Sequence, residues 1–241
     1  MGAVIPPEPL QPSGPSRATA IFEVVLCSGF PTQLTLGALL SIAGLGSADG
    51  QVSFEYLVTL SLLDTTVLTG LILMRLRASG ESPGGLFLGH RPIRREVAAG
   101  LPLAFMALAL AVVVLSAVRE LAPWLRTFER NPLQDLVRTP GETALFAIVV
   151  VVAGGVREEI QRAFLLSRFE RSLGGGTIGI ILTSVAFGAG HFLQGVDAAI
   201  ATGVLGAFWA IVYLRRRSIV APVVSHSGFN LVQLTQFFVS R

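Results

Sequence analysis

Long apolar runs separated by short polar, glycine-rich or proline-rich segments form the dominant pattern along this chain. A helix that crosses a bilayer needs about 20 mostly apolar residues, because the hydrocarbon core is about 30 Å thick. Helices also satisfy their own backbone polar groups inside lipid. The pattern therefore predicts an all-α, polytopic transmembrane helical bundle of about seven spans. The runs cover residues 18–45, 54–74, 97–118, 143–166, 177–192, 198–214 and 219–239.

The composition agrees with a lipid environment. Of the 241 residues, 52% are hydrophobic and 14% are charged, against about 25% charged residues in an ordinary soluble domain. All 18 basic residues are arginine and the net charge is only +3, so the sequence does not indicate a basic surface for nucleic acid. We therefore expect an integral membrane protein that contacts the lipid bilayer and no nucleic acid.

Three segments of the chain differ in what they carry. Residues 1–17 hold five prolines and are expected to form a disordered tail. Residues 18–141 contain the first three spans and their loops, without a recognisable motif. Residues 142–241 form the expected catalytic membrane region, because the candidate chemistry lies there.

The arginines also predict an orientation in the membrane. If the N-terminus is inside, the cytoplasmic loops hold clusters such as residues 91–95 and 215–217, whereas the opposite loops mix arginine with acidic residues. Cytoplasmic loops of membrane proteins carry an excess of basic residues, so we expect a cytoplasmic N-terminus. The use of arginine without lysine indicates a GC-rich bacterial genome and hence a bacterial cell membrane.

The fourth apolar run contains four ionisable residues, namely Arg157, Glu158, Glu159 and Arg162. Each charge costs about 2.5 to 3.5 kcal/mol near the bilayer centre, so pairing or a hydrated cavity is expected. Arg162 follows the two acids at spacings of four and three residues, and either spacing lets its guanidinium reach a carboxylate. The alternative is a helix end at the membrane interface, where these side chains reach water.

Two of the three histidines lie in other apolar runs of the same region. His191 ends the stretch Phe187-Gly-Ala-Gly-His191, and His226 precedes Asn230 by four residues. That spacing places His226 and Asn230 on one helix face. A lone histidine in such a helix is usually a hydrogen-bonded core residue, but at about 1.5 Å of rise per residue these groups lie at depths that allow them to meet Glu158.

Such a cluster has the groups that peptide hydrolysis needs. Glu158 can act as general base on a water molecule while a histidine orients that water or protonates the leaving amine. The remaining histidine and Asn230 can stabilise the oxyanion of the tetrahedral intermediate. Alternatively, Glu158, His191 and His226 can hold zinc or another divalent metal and leave one position for water. No organic cofactor is needed in either case.

Three motifs in order give this region a resemblance to a known family. They resemble the motifs of the CPBP family, the CAAX protease and bacteriocin-processing (Abi) intramembrane proteases, over residues 143–236. The motifs are the pair Glu158-Glu159 with a nearby arginine, Phe187-x-x-x-His191, and His226-x-x-x-Asn230.

The resemblance implies an all-α membrane protease that acts on protein or peptide substrates. It implies that Glu158 and His191 activate the water, and that His226 and Asn230 bind the oxyanion. Glu159 would support the site. The family has been described both as metalloproteases and as glutamate proteases, so the resemblance leaves both mechanisms open.

One position departs from the family pattern, which has an arginine four residues after the second acid. This chain has Ala163 there, and its arginine is Arg162. An alignment on Arg162 would put Arg157 in the place of the first acid and Glu158 in that of the second. The sequence therefore leaves the division of labour between the two acids open, with Arg162 and Phe187 in supporting roles.

A non-catalytic membrane protein is the alternative function. Buried acids and histidines also relay protons or bind ions in proton-coupled transporters, and a scaffold needs no chemistry at all. Many transporters contain inverted repeats, and the sequence shows no internal repeat.

Overall fold

The computed structural model of the protein describes residues 14–46, 52–128 and 132–239, and these ranges are helical with no strand. The predicted all-α bundle is thereby confirmed. Residues 1–13 of the expected disordered tail at residues 1–17 lie outside the described part of the chain. The first helix begins at Arg17, the last residue of that segment.

The helices follow the predicted apolar runs closely. Their bounds are α1 Arg17–Leu26, α2 Phe30–Ile42, α3 Phe54–Ala78, α4 Pro83–Phe87, α5 Ile93–Leu121, α6 Pro140–Val149, a π-helix Val150–Arg157, α7 Glu158–Ser172, α8 Gly176–Ala189, α9 Val196–Arg216 and α10 Val220–Val239.

Length and composition identify fewer candidate membrane spans among the described residues than the seven that the sequence predicts. Among the described residues, four helical segments are long and apolar enough to cross a membrane, namely Arg17–Ile42 (α1 with α2), α3, α5 and α9. The expected number of about seven is therefore not confirmed. The fourth run is interrupted by ionisable residues, and α8, although apolar, has only 14 residues.

A capping box fixes the start of the segment that carries the two acids. The Thr139 side chain accepts a hydrogen bond from the backbone N–H of Glu142, the Glu142 carboxylate accepts one from that of Thr139, and Pro140 occupies the first turn. These bonds satisfy N–H groups that a helix start leaves free. Backbone N–H groups of Arg138 and Thr139 also lower the pKa of the Glu142 carboxyl below its usual value.

Ion pairs define the two ends of the bundle. At one end, Arg119 at the end of α5 lies 3.0 Å from Asp197 at the start of α9. At the other, Glu96 near the start of α5 binds Arg216 near the end of α9, with the closest atoms 2.8 Å apart. The helices α5 and α9 are therefore antiparallel. We call these the Asp197 end and the arginine end.

A fully buried acid ties three helices together near the arginine end. Glu23 of α1 accepts hydrogen bonds from Arg75 of α3 at 2.7 Å and from Arg168 of α7 at 2.6 Å. Arg168 also pairs with Glu81, in the turn after α3. The buried charge of Glu23 is thus compensated within the bundle.

Small residues bring α8 and α9 into close contact. A Cβ atom at Gly188 would lie 2.7 Å from the backbone oxygen of Ala199 and 3.2 Å from Cα of Gly203. Ala199 and Gly203 are small residues four positions apart, on one face of α9. This contact places the end of α8 against the first half of α9.

Candidate active site

A π-helix of eight residues leads directly into the two acids. It spans Val150–Arg157, between α6 and α7, so Glu158 is the first residue after it. Such wide turns are rare and frequently occur at functional sites. The Asn230 side chain of α10 donates a hydrogen bond from Nδ2 to the backbone oxygen of Val150, at 3.2 Å. The π-helix and α10 thus form one wall of the site.

Two adjacent glycines allow α10 to approach the π-helix. A Cβ atom at Gly154 would lie 2.7 Å from Nδ2 of Asn230, and one at Gly155 would overlap the hydroxyl of Ser227. A side chain at Gly155 would push α10 away, because it would also meet Cβ of Ser227 at 3.1 Å, whereas one at Gly154 would displace the Asn230 amide. This Gly-Gly pair was not among the predicted site residues, although adjacent glycines in an apolar run indicate a close helix contact.

Glu159 is the more deeply buried of the two acids and holds His226. It is 1% exposed, and its Oε1 atom lies 2.9 Å from Nδ1 of His226. The same carboxylate forms an ion pair with Arg162. Because an ionised carboxylate only accepts hydrogen bonds, Nδ1 of His226 carries the proton in this contact, which fixes the orientation of the ring.

Glu158 lies on the other side of the same imidazole. Its Oε2 atom is 3.7 Å from Nε2 of His226. Its side chain is 14% exposed and lines two cavities. The two acids therefore bracket His226, with Glu159 on the buried nitrogen and Glu158 on the nitrogen toward the cavity. This arrangement leaves Glu158 free to meet water.

Trp209 of α9 packs flat against His226, with ring centroids 3.7 Å apart and an angle of 18° between the planes. Its indole N–H donates a hydrogen bond to the hydroxyl of Ser225 at 3.1 Å, and the side chain is 1% exposed. The sequence analysis missed Trp209, because an aromatic residue in an apolar helix gives no signal of which side chain it will contact.

Phe187, a predicted supporting residue, contacts both histidines of the site and Arg162. Its ring is in edge-to-face contact with His191 at 4.7 Å and with His226 at 6.1 Å. The guanidinium of Arg162 lies 4.7 Å from the centre of the same ring, a cation–π geometry. A Cβ atom at Gly206 would lie 2.9 Å from the ring, so this glycine provides its space.

His191 is not inside a helix, as the apolar run predicts, but two residues beyond the end of α8 at Ala189. Its Nδ1 atom is 2.8 Å from the backbone oxygen of Phe187. Because a carbonyl only accepts, Nδ1 carries a proton there and the neutral ring has Nε2 as an acceptor. That acceptor is suited to orienting a water molecule.

Two cavities meet at these residues. The first, of about 360 Å³, contains His226 and Asn230 in its lining and extends to Arg119 and Asp197. The second, of about 310 Å³, extends to the break between α1 and α2. The first cavity therefore opens at the Asp197 end, opposite the arginine end. The lining shared by both cavities consists of Leu57, Ser61, Arg157, Glu158, Phe187, His191 and Gln194.

The considered metal ligands do not form a ligand cluster. Among the described residues, no three His, Cys, Asp or Glu side chains are close enough to hold one metal ion. Nδ1 of His226 is bonded to Glu159 and Nδ1 of His191 lies against a carbonyl, so only Nε2 of each ring is left for a further ligand. Because the described residues form no such cluster, we derive no step through a metal.

The part of the chain that contains these residues matches a known protein family. Residues 140–232 match the family described as type II CAAX prenyl endopeptidase Rce1-like. No curated protein and no solved structure matches the chain significantly. The match covers both acids, both histidines and Asn230, and it confirms the resemblance to CAAX-type proteases for this segment.

Proposed function

Starting from the family match of residues 140–232, we propose that this integral membrane protein is an intramembrane endopeptidase that hydrolyses peptide bonds with water activated by Glu158. The observation that carries the proposal is the position of Glu158, which lines both cavities and lies 3.7 Å from His226, while Glu159 is buried and paired. A free carboxylate beside an oriented imidazole has the geometry that general-base catalysis needs.

The reaction begins with proton transfer from water to the Glu158 carboxylate. The water oxygen attacks the substrate carbonyl carbon, and the carbonyl electron pair moves to the oxygen as a tetrahedral oxyanion. The C–N bond then breaks, and the proton on Glu158 passes to the leaving nitrogen. The products are a carboxylic acid and an amine, so no oxidant, reductant or organic cofactor takes part.

His191 and Asn230 have complementary roles in this scheme. His191 donates Nδ1–H to the Phe187 carbonyl and accepts a hydrogen bond from the water at Nε2. One amide proton of Asn230 is bonded to Val150, and its second proton is available to the oxyanion. Each such donor typically contributes about 10²- to 10³-fold.

His226 supplies the second oxyanion donor when it is protonated. Nδ1–H then points to Glu159 and Nε2–H to the cavity, between Glu158 and the substrate oxygen. The face of Trp209 against the ring favours the positive charge through a cation–π interaction. Glu159 supplies the negative charge opposite both His226 and Arg162, so it positions the ring and need not touch the substrate.

The arginine end is proposed to lie in the cytoplasm of a bacterial cell. In that orientation the first cavity opens to the outer face, through the rim at Arg119 and Asp197. We propose that membrane-proximal segments of protein or peptide substrates enter from the outer face.

Direct cleavage tests this function against the transporter and scaffold alternatives. The purified protein in nanodiscs is incubated with membrane-proximal peptides, and the products are identified by mass spectrometry. Cleavage should be lost in Glu158→Gln and retained in His90→Ala, which changes the exposed third histidine. Intact peptides with every form of the protein, together with ion flux that Glu158→Gln abolishes, would favour a transporter.

Metal chelation adds a second arm to the same assay. We expect activity within twofold of the untreated value after chelation, because the three candidate ligands do not lie together among the described residues. A loss of activity that zinc restores would overturn the metal-free scheme and leave the proposed endopeptidase intact.

A further inference from the structure

Arg157 is a buried cation at the point where the two cavities meet. It is the last residue of the π-helix, lies directly before Glu158, and is 8% exposed. Its side chain lines both cavities. A charge in this position must be compensated, because isolated ions are costly in an apolar interior.

Asp64 of α3 compensates the charge of Arg157. An Nη atom of the arginine lies 2.9 Å from Oδ2 of Asp64, which is 1% exposed. Thr32 donates a hydrogen bond to the other oxygen of Asp64 at 2.5 Å, and Gln33 contacts Oδ2 at 3.4 Å. The pair has no net charge, and Thr32 and Gln33 in the first turn of α2 hold Asp64 in place.

Gln161 completes the support of the guanidinium. It accepts a hydrogen bond from the second Nη atom of Arg157 at 3.1 Å and donates one to the backbone oxygen of Cys27 at 3.0 Å. Gly29, with φ of +86°, lies at the break between α1 and α2 and leaves room for the Gln161 side chain. The orientation of Arg157 is therefore set by three elements.

This support leaves the Nε donor of Arg157 without a partner. A guanidinium has five N–H groups, and Nε of Arg157 is buried with no hydrogen bond to the protein. Buried donors are nearly always satisfied. Stability alone explains the pair poorly, since buried ion pairs can often be replaced by apolar residues without loss of stability. An oriented donor beside a catalytic acid is instead suited to a ligand.

We propose that Arg157 is a substrate-binding residue that donates a hydrogen bond to a backbone carbonyl of the peptide, next to the bond that is cleaved. Because Asp64 neutralises its charge, Arg157 suits a neutral carbonyl better than a free carboxylate. The bound peptide then passes Glu158 in an extended form, from the first cavity into the second. This inference rests on the proposed endopeptidase function.

The test measures substrate binding separately from catalysis. Peptide affinity is determined by fluorescence anisotropy in the Glu158→Gln background, with and without Arg157→Lys, and KM and kcat are measured in the otherwise wild-type chain. We expect Arg157→Lys to weaken binding and raise KM about tenfold or more, with kcat within threefold, because a hydrogen bond to a charged donor is lost. Arg217→Lys is the matched control, since Arg217 pairs with Glu170 in an exposed ion pair outside the lining of both cavities.

A peptide series identifies the carbonyl and does not depend on the variant folding. Each amide of the substrate is replaced in turn by a thioamide, whose sulfur is a weak acceptor. At one amide other than the cleaved bond, we expect the thioamide to weaken peptide binding about tenfold in the protein that carries Arg157. The same thioamide should not change peptide binding in Arg157→Lys. No sensitive position in the protein carrying Arg157 would overturn the inference, as would an unchanged KM in a folded Arg157→Lys.

The two proposals fail differently. Cleavage by the wild type with the same KM in Arg157→Lys overturns only the role of Arg157. Absence of cleavage by the wild type, with binding that still depends on Arg157, overturns only the proposed hydrolysis.

Discussion

Oε1 of Glu159 lies 2.9 Å from Nδ1 of His226, and this contact places two adjacent acids in different surroundings. Glu159 is buried between His226 and Arg162, whereas Glu158 lies beside Nε2 of the same ring and lines the cavity. Arg162 reaches Glu159 although it stands one residue earlier than the family pattern predicts. Its shifted position therefore still supports the acid that orients the histidine.

The two acids should respond differently to the same substitution. Glu158→Gln should lower kcat about 10²- to 10⁴-fold, the usual contribution of a general base, without changing the melting temperature by more than about 2 °C. Glu159→Gln should lower both kcat and the melting temperature, because it leaves Arg162 buried without a full counter-charge. The loss in the free energy of unfolding should be about 3 to 5 kcal/mol. Peptide cleavage and thermal unfolding in detergent measure the two effects. Equal effects of the two substitutions on stability would contradict this division.

Trp209 should contribute to the reactivity of His226 through stacking. Trp209→Phe keeps an aromatic face and should retain most of the activity, whereas Trp209→Leu should lower kcat about tenfold, in line with about 0.5 to 1.5 kcal/mol for an aromatic pair. Trp124→Leu is the control, because Trp124 is 77% exposed. A kcat unchanged by Trp209→Leu would show that Trp209 only fills space.

The contact between the π-helix and α10 should depend on Gly155. Gly155→Ala should destabilise the protein by about 1 to 3 kcal/mol, the usual cost of overpacking, because its Cβ atom would overlap Ser227. Activity should fall as well, since α10 carries His226 and Asn230. Gly70→Ala is the matched control, because Gly70 lies in α3 with nothing within 4 Å of the added Cβ. Unfolding curves and kcat of both variants check this prediction, and equal behaviour of the two would refute it.

The buried acid near the arginine end should matter for stability and little for chemistry. Glu23→Gln should cost about 3 to 5 kcal/mol, because Arg75 and Arg168 lose their shared counter-charge. Glu170→Gln removes the partner of Arg217 in a far more exposed pair and should cost less than about 1 kcal/mol. Unfolding in denaturant compares the variants, and kcat of the folded fraction should remain near the wild-type value in both. A lower kcat in folded Glu23→Gln would connect this cluster to the site.

The proposed orientation can be measured with single cysteines. In a Cys27→Ala background, Trp124→Cys reports on the Asp197 end and His90→Cys on the arginine end, because both positions are exposed. In intact cells a membrane-impermeant maleimide should label Trp124→Cys, and label His90→Cys only after permeabilisation. The reverse pattern would place the mouth of the first cavity on the cytoplasmic side.

The sequence alone determined the class of protein and the residues with candidate chemistry. Apolar runs predict helices in lipid because every helix satisfies its own backbone there. The acids near residue 158, together with His191, His226 and Asn230, stood out because polar groups in such runs are costly. Both arguments use only neighbouring residues, so no knowledge of the tertiary structure was needed.

Only the tertiary structure decided which of these residues contact one another and which line the cavity. Whether Glu158 or Glu159 faces the cavity depends on the rotation of α7 against α10, which the Gly-Gly pair and the π-helix set. The partners Trp209 and Asp64 lie 17 and 93 positions from His226 and Arg157, respectively, along the chain. Contacts over such separations follow from the packing of whole helices, which local patterns of hydrophobicity and charge do not specify.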